Sequence, residues 1–290
     1  MSFWIYFFII IGCLAVFFLV IAAIDSNRFI IQRYHFYSDQ VTRDVRFVFL
    51  TDLHLKEYGK ENENLLKEIR LLKPDFVLVG GDMMNAVSGA DFSTAAAFLQ
   101  KLADCYTIYY AYGNHEHRAK MQPEKYRNLW EKYSRAIQHA NIIFLDDQSV
   151  ELSNLNIRIT GLSLERPYYK RWAKRILPEQ YLEEKIGKSR ENCFQILLAH
   201  NPEFFRDYAK WDPDLVLSGH IHGGVVRLPF LGGVIAPSMR LFPHYTGGIY
   251  HEFGHQMILG KGLGMHTIPI RIWNPGELVA VEIRKKKTED

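Results

Sequence analysis

The chain is 290 residues long, enough for one large or two modest domains. Its 48% hydrophobic and 23% charged content excludes a disordered or collagen-like chain and supplies material for a substantial core. A formal net charge of +3, from 35 basic and 32 acidic residues, makes no case for nucleic acid; three cysteines without a CxxC pair exclude a disulfide framework or a cysteine zinc site.

Residues 3–24 carry no charge, and the run ends at Asp25. At ~1.5 Å per residue a helix of that length spans about 33 Å, enough for the ~30 Å hydrocarbon core. Residues 1–26 are therefore read as an uncleaved transmembrane anchor, with Trp4 and Tyr6 as interfacial aromatics. A cleaved signal peptide calls for a basic start and a shorter apolar stretch. Ile10-Ile11-Gly12-Cys13 loosely resembles a lipobox, which makes a lipoprotein the alternative. Arg28 and Arg33 follow the run and no Lys or Arg precedes it, so the positive-inside rule places the large domain on the cytoplasmic side. The extracytoplasmic side is the alternative.

Residues 27–44 read as a polar linker. From there strands and helices alternate: strand 46–50, helix 63–72, strand 76–79, helix 95–102, strand 107–111, helix 124–137 and strand 142–145. Further strands are expected at 157–160, 194–198, 215–217 and 278–283. This alternation predicts an α/β domain over residues 45–284, and continuous apolar runs such as Phe76-Val77-Leu78-Val79 fit a sheet covered on both faces. After Gly219 glycines and prolines crowd in, which predicts short strands and functional loops. Residues 285–290 read as a basic, solvated tail, with contact to acidic lipid as the alternative.

Polar residues of one chemical type stand where the strands end. They are Asp52 and His54, then Asp82, then Asn114, His115 and Glu116, then His200, and last His220 and His222. Ligands of an open α/β sheet bind at the carboxyl ends of strands, so these five clusters should converge. Asp, Asn and His together suit Mn, Fe, Zn or similar divalent ions. The i, i+2 spacing of Asp52/His54 and of His220/His222 lets each pair face one site in an extended segment. Seven ligands exceed the positions of one ion and suit two ions, about 3.5–4 Å apart, sharing a carboxylate. Any one of these clusters occurs by chance; five in this order, each at a predicted strand end, do not.

The order Asp-x-His, Gly-Asp, Gly-Asn-His-Glu, His, Gly-His-x-His resembles that of the calcineurin-like metallophosphoesterases over residues 46–224. Segments 51–55 and 219–224, with Arg227-Leu228-Pro229 behind the second, resemble the bacterial membrane-anchored or exported YkuE/YaeI-like branch. The twin-arginine signal of some exported relatives is missing here. The resemblance implies a four-layer αββα sandwich behind the transmembrane helix. It implies one divalent ion held by Asp52, His54, Asp82 and His222, and a second held by Asp82, Asn114, His200 and His220, with Asp82 bridging. It makes His115 the residue that protonates the leaving group or stabilises its developing charge. Glu116 and His117 are expected to be supporting or solvent-facing, and His244, His251 and His255 to be loop histidines.

The function so implied is hydrolysis of a phosphate ester or pyrophosphate by a hydroxide generated between two divalent ions. The short anchor and the apolar residues Leu228, Phe230, Leu231, Leu241 and Phe242 point to a lipid-linked or envelope intermediate as substrate and to the bilayer as partner. The alternatives are a membrane-held nuclease or phosphodiesterase and a silent binding scaffold. A nuclease needs a basic, aromatic groove. Residues 168–175, with Arg171, Lys174 and Arg175, have that composition, but the segment suits a lid or membrane contact better.

Overall fold

The structure is a computed structural model; it describes residues 2–170, 176–228, 232–235, 241–265 and 270–286. Helix α1 (Ser2–Asp25) is long and apolar enough to cross a membrane, and only 6% of its apolar window is buried against the domain. Strand β1 (Phe29–Ser38) follows after a three-residue joint. Strands β2 (Val45–Leu50), β3 (Phe76–Val79), β4 (Ile108–Ala111) and β5 (Ile142–Leu145) then alternate with helices α2 (Glu63–Leu72), α3 (Ser93–Ala103), α4 (Asn114–Met121) and α5 (Leu129–Ala136). The chain crosses to β6 (Gln148–Leu152), β7 (Ile157–Leu162), α6 (Tyr181–Ile186), β8 (Phe194–Ala199), α7 (Phe205–Lys210) and β9 (Leu215–Ser218). The Gly-rich third adds β10 (Val226–Leu228), β11 (Gly232–Ile235), β12 (Gly248–Glu252), β13 (His255–Leu259) and β14 (Gly276–Lys285).

Two six-stranded sheets result, ordered β1-β14-β2-β3-β4-β5 and β12-β13-β9-β8-β7-β6, beside a β10-β11 hairpin. Side chains alternate across each strand and thereby build three apolar layers. Phe47, Phe49 and Leu78 of the first sheet meet Ile159, Ile196 and Leu217 of the second between the sheets. Val48, Leu50 and Val79 face the other way, onto Leu65 and Ile69 of α2 and Phe98 of α3. Leu197 and Val216 of the second sheet are covered by Leu182 of α6 and Phe205 of α7. This is the expected four-layer αββα arrangement. Strands β2, β3 and β4 run parallel in one sheet, as do β7, β8 and β9 in the other, so their carboxyl-end loops meet at one edge of the sandwich.

Three expectations need correction. Residues 27–44 are not a linker: β1 pairs in parallel with β14 from Phe29 against Gly276 to Ser38 against Lys285. As an edge strand β1 exposes Arg33, His35 and Tyr37 while Phe36 is buried, and this outward polar face made it read as a joint. The basic tail does not begin at 285 either, because Lys285 ends β14 and the Lys286 N–H still donates to the Ser38 carbonyl; residues 287–290 lie outside those described. The helix expected over 124–137 is confined to α5, because Arg127 and Asn128 take positive φ and stop it from extending back. We expect a chain beginning at Ile24 to be soluble with one cooperative thermal transition. A chain beginning at Asp39 lacks β1, bares the β14 edge and should aggregate or melt lower, as size exclusion and thermal melting would report.

Candidate metal centre

The five loops are laced together by main-chain bonds before any side chain is considered. The N–H groups of Asp52 and His54 donate to the carbonyls of Gly81 and Asp82, and Leu263 and Gly264 donate to the carbonyls of Thr51 and Asp52. Gly219 donates across to the His200 carbonyl. Asp52, His54, Asp82, His220 and His222 all have positive φ, between 47° and 73°. That region is sparsely used by non-glycine residues and costs of order 1–3 kcal/mol each where the backbone is strained. The loops hold these conformations so that the side chains turn inward. Gly81 and Gly113 supply the closest backbone approach: a Cβ on Gly81 would lie 2.0 Å from the Gly113 nitrogen.

Glu116 fixes this junction from below. Its buried carboxylate accepts the N–H groups of Asp82 (2.8 Å), Met83 (2.9 Å) and Gly113 (3.1 Å) and the Tyr110 hydroxyl (2.8 Å). Burial and the nearby Asp82 charge push it up to about 7. Glu116 is thus a supporting group and does not face solvent. At the start of α4 the His115 N–H donates to Asp82 Oδ1 at 2.7 Å, and the His220 N–H reaches across from the other sheet to Asp52 Oδ2 at 3.0 Å.

Seven of the eight predicted site residues come together, and the eighth, Asn114, lies between Gly113 and His115 at the head of α4. Among the described residues three groups place their ligand atoms within 4.8 Å of one another: Asp52, His54 and His222; His54, Asp82 and His115; and Asp82, His200 and His220. His54 Nε2 lies 3.7 Å from Asp52 Oδ1 and 3.8 Å from Asp82 Oδ2, His222 Nε2 3.6 Å from Asp52 Oδ1, and His200 Nε2 3.0 Å from Asp82 Oδ2. Two ligands at ~2.1 Å from a shared ion lie about 3.0–3.4 Å apart, so these separations need little adjustment. Asn114 is buried at the head of α4, and its Oδ1 has no hydrogen-bond partner. Such an orphaned acceptor, one residue before the His115 N–H that holds Asp82, fits a cation.

The electrostatics agree. Burial alone would raise the Asp52 carboxyl, but the His222 and His200 rings outweigh it and hold it well below the usual carboxylate range. Asp82 is held down in the same way by His200 and His115. Burial opposes a charge on His200, yet Asp82 and Asp52 push it up to about 10, so the field at its Nε2 favours a cation there. His222 is brought down to about 3 by burial, against the pull of Asp52.

Hydrogen bonds to the far ring nitrogens sort the histidines by role. Nδ1 of His200 donates to the Gly80 carbonyl (2.7 Å), Nδ1 of His222 to the Gly264 carbonyl (3.0 Å), and Nδ1 of His54 to Asn85 Oδ1 (2.7 Å). Each leaves Nε2, aimed inward, to bind a metal. His115 is the reverse: the Ala86 N–H donates to its Nδ1 at 2.8 Å, so Nε2 carries the ring proton, 4.0 Å from Asp82 Oδ2. His115 presents a donor where the others present lone pairs.

Tyr169, in the segment expected to form a lid, packs against the site, its ring 5.1 Å from that of His220 and 6.3 Å from that of His200. Sequence reasoning missed two contributors. Asn85 and Ala86 orient His54 and His115 and have no motif beyond following Gly80-Gly81-Asp82. Arg171, Lys174, Arg175, Phe230 and Leu231 lie outside the described residues. His244, His251 and His255 belong to none of the three groups, and His255 Nδ1 bonds to the Pro213 carbonyl. Gly113→Ala would set a Cβ 2.2 Å from Asp82 Oδ1. We expect it to lower metal affinity by about 10–100-fold, the range for groups behind a ligand, in a titration of the folded variant.

Residues 45–224 match the calcineurin-like phosphoesterase family. The chain belongs to that family. Among similar proteins, a metallophosphoesterase of Campylobacter jejuni is 29% identical over 251 residues, covering 84% of this chain and 60% of the relative. The metallophosphoesterase YkuE of Bacillus subtilis is 25% identical over 82% of this chain and 79% of its own length. The phosphodiesterase YaeI of Escherichia coli is 29% identical over 76% and 75%. The chain spans about 60% of the length of the Campylobacter and Helicobacter pylori relatives it matches. Every motif of the calcineurin-like pattern read from the sequence falls within the matched segment.

Proposed function

We propose that this protein is a membrane-anchored phosphoesterase with two divalent ions, Mn, Fe or Zn, per chain. Asp52, His54, Asp82 and His222 hold one ion, and Asp82, Asn114, His200 and His220 the other. The observation that carries the reading is the sorting of the histidines, three turned to ligate and one turned to donate around two buried carboxylates. When bound, two such ions offset phosphoryl charge and make a water nucleophilic near neutral pH. His115 Nε2–H would donate to the ester oxygen that gains charge as the bond breaks. Hydrogen-bond donation suits a ring whose Nδ1 already accepts the Ala86 N–H.

The apolar face of α1 outside the domain and its three-residue joint to β1 support an anchor that keeps the site close to a bilayer. Exposed Leu241 and Phe242 add apolar surface. A phosphate or pyrophosphate on a membrane lipid or envelope intermediate is therefore the favoured substrate, with the domain on the cytoplasmic side by the Arg28 and Arg33 count. The test is hydrolysis of p-nitrophenyl phosphate, bis-p-nitrophenyl phosphate and a lipid-linked pyrophosphate in bilayers, each with Mn, Fe, Zn or Mg. Metal-dependent turnover lost on chelation is expected, with higher kcat/KM for the lipid than for its soluble head group. No turnover with any metal would overturn the phosphoesterase reading, and preference for the soluble head group the lipid one.

A further inference from the structure

The end of the apolar helix is hydrogen-bonded into the loop that carries His222. Asp25, the last residue of α1, is only 2% exposed. A carboxylate at a helix C-terminus opposes the helix dipole, and burial adds to the cost, so its place calls for partners. Asp25 Oδ2 accepts the Asn274 N–H (3.1 Å), Oδ1 pairs with Arg28 (2.7 Å), and the neighbouring Ser26 Oγ accepts the Arg271 N–H (3.1 Å). Asn274 Nδ2 donates to the carbonyls of His222 (2.8 Å) and Gly224 (2.6 Å). The Arg271 guanidinium, also 2% exposed, donates to the carbonyl of Gly264 (2.7 Å), the same oxygen that receives His222 Nδ1–H. Trp273, between these two residues, packs edge-on against Phe18 of α1 with ring centroids 5.6 Å apart.

The geometry points to Asp25, Arg271 and Asn274 as positioning residues for His222, so that the seating of α1 sets the Asp52–His54–His222 half of the metal centre. The inference rests on the two-ion reading above. Both α1 contacts fall on one short segment, and that segment holds His222 by its carbonyl and by the acceptor of its ring proton. Among the described residues, the hydrogen bonds of Asp25, Arg271 and Asn274 reach His222 and the acceptor of its ring proton and none reaches Asn114, His200 or His220. A shift of α1 therefore acts on one ion and spares the other.

Calorimetric titration of the full-length protein in detergent with Mn²⁺ tests this. Asp25→Ala is expected to weaken one of two equivalents by about tenfold, the low end for groups behind a ligand, and to leave the other unchanged. Asp25→Asn keeps an oxygen for the Asn274 N–H and should retain both affinities. Two unchanged equivalents in Asp25→Ala, or equal weakening of both together with a lower Tm, would overturn the proposal. Should Asp25→Ala not fold, Ser26→Ala removes only the acceptor of the Arg271 N–H and is read by the same criteria. Fewer than two equivalents in the unaltered protein would overturn the two-ion reading itself.

Discussion

Asp82→Asn should abolish binding of both ions and lower kcat/KM by at least about 10³, the equivalent of roughly 4 kcal/mol of transition-state stabilisation. Asp82 lies between the two halves of the centre: Oδ2 faces His200 at 3.0 Å and His54 at 3.8 Å, while Oδ1 is held by the His115 N–H at 2.7 Å. The amide keeps the size of the side chain and removes the negative charge that both cations would share. Elemental analysis and turnover read the effect, and melting of the two ion-free proteins controls for folding, since the variant also loses its ionic contact with His200. Retention of one tightly held ion would show that Asp82 does not bridge.

His115→Asn has a different signature. It should lower kcat by about 10²–10³, the cost of one donor aimed at developing charge, with metal content unchanged. The loss should grow as the leaving alcohol becomes a poorer one, because more charge then falls on the oxygen facing Nε2. The contrary result is loss of metal, which the closeness of His115 to His54 and Asp82 makes a fair test. It would mean that the Ala86 N–H does not keep the ring proton on Nε2.

The site was legible in the sequence because each ligand cluster directly follows an apolar strand, and the parallel order of β2, β3 and β4 and of β8 and β9 brings those strand ends to one edge. What supports the ligands was not legible. Arg271 and Asn274 act on His222 across 49 and 52 residues, and Asp25 acts on Asn274 across 249, from segments with no motif of their own. Glu116 was visible in Gly-Asn-His-Glu, but its task, gathering the N–H groups of Asp82 and Met83, depends on a loop more than thirty residues away. β1 was lost because Arg33, His35 and Tyr37 face solvent and only two of its residues are buried, so that only pairing with the last strand, β14, distinguishes it from a joint.

The most direct test of the account is the number of divalent ions bound per chain when the full-length protein is saturated with Mn²⁺, freed of excess metal and measured by elemental analysis. The account predicts two, with phosphoesterase turnover that follows occupancy. One ion or none at saturation, with the protein folded, would contradict it.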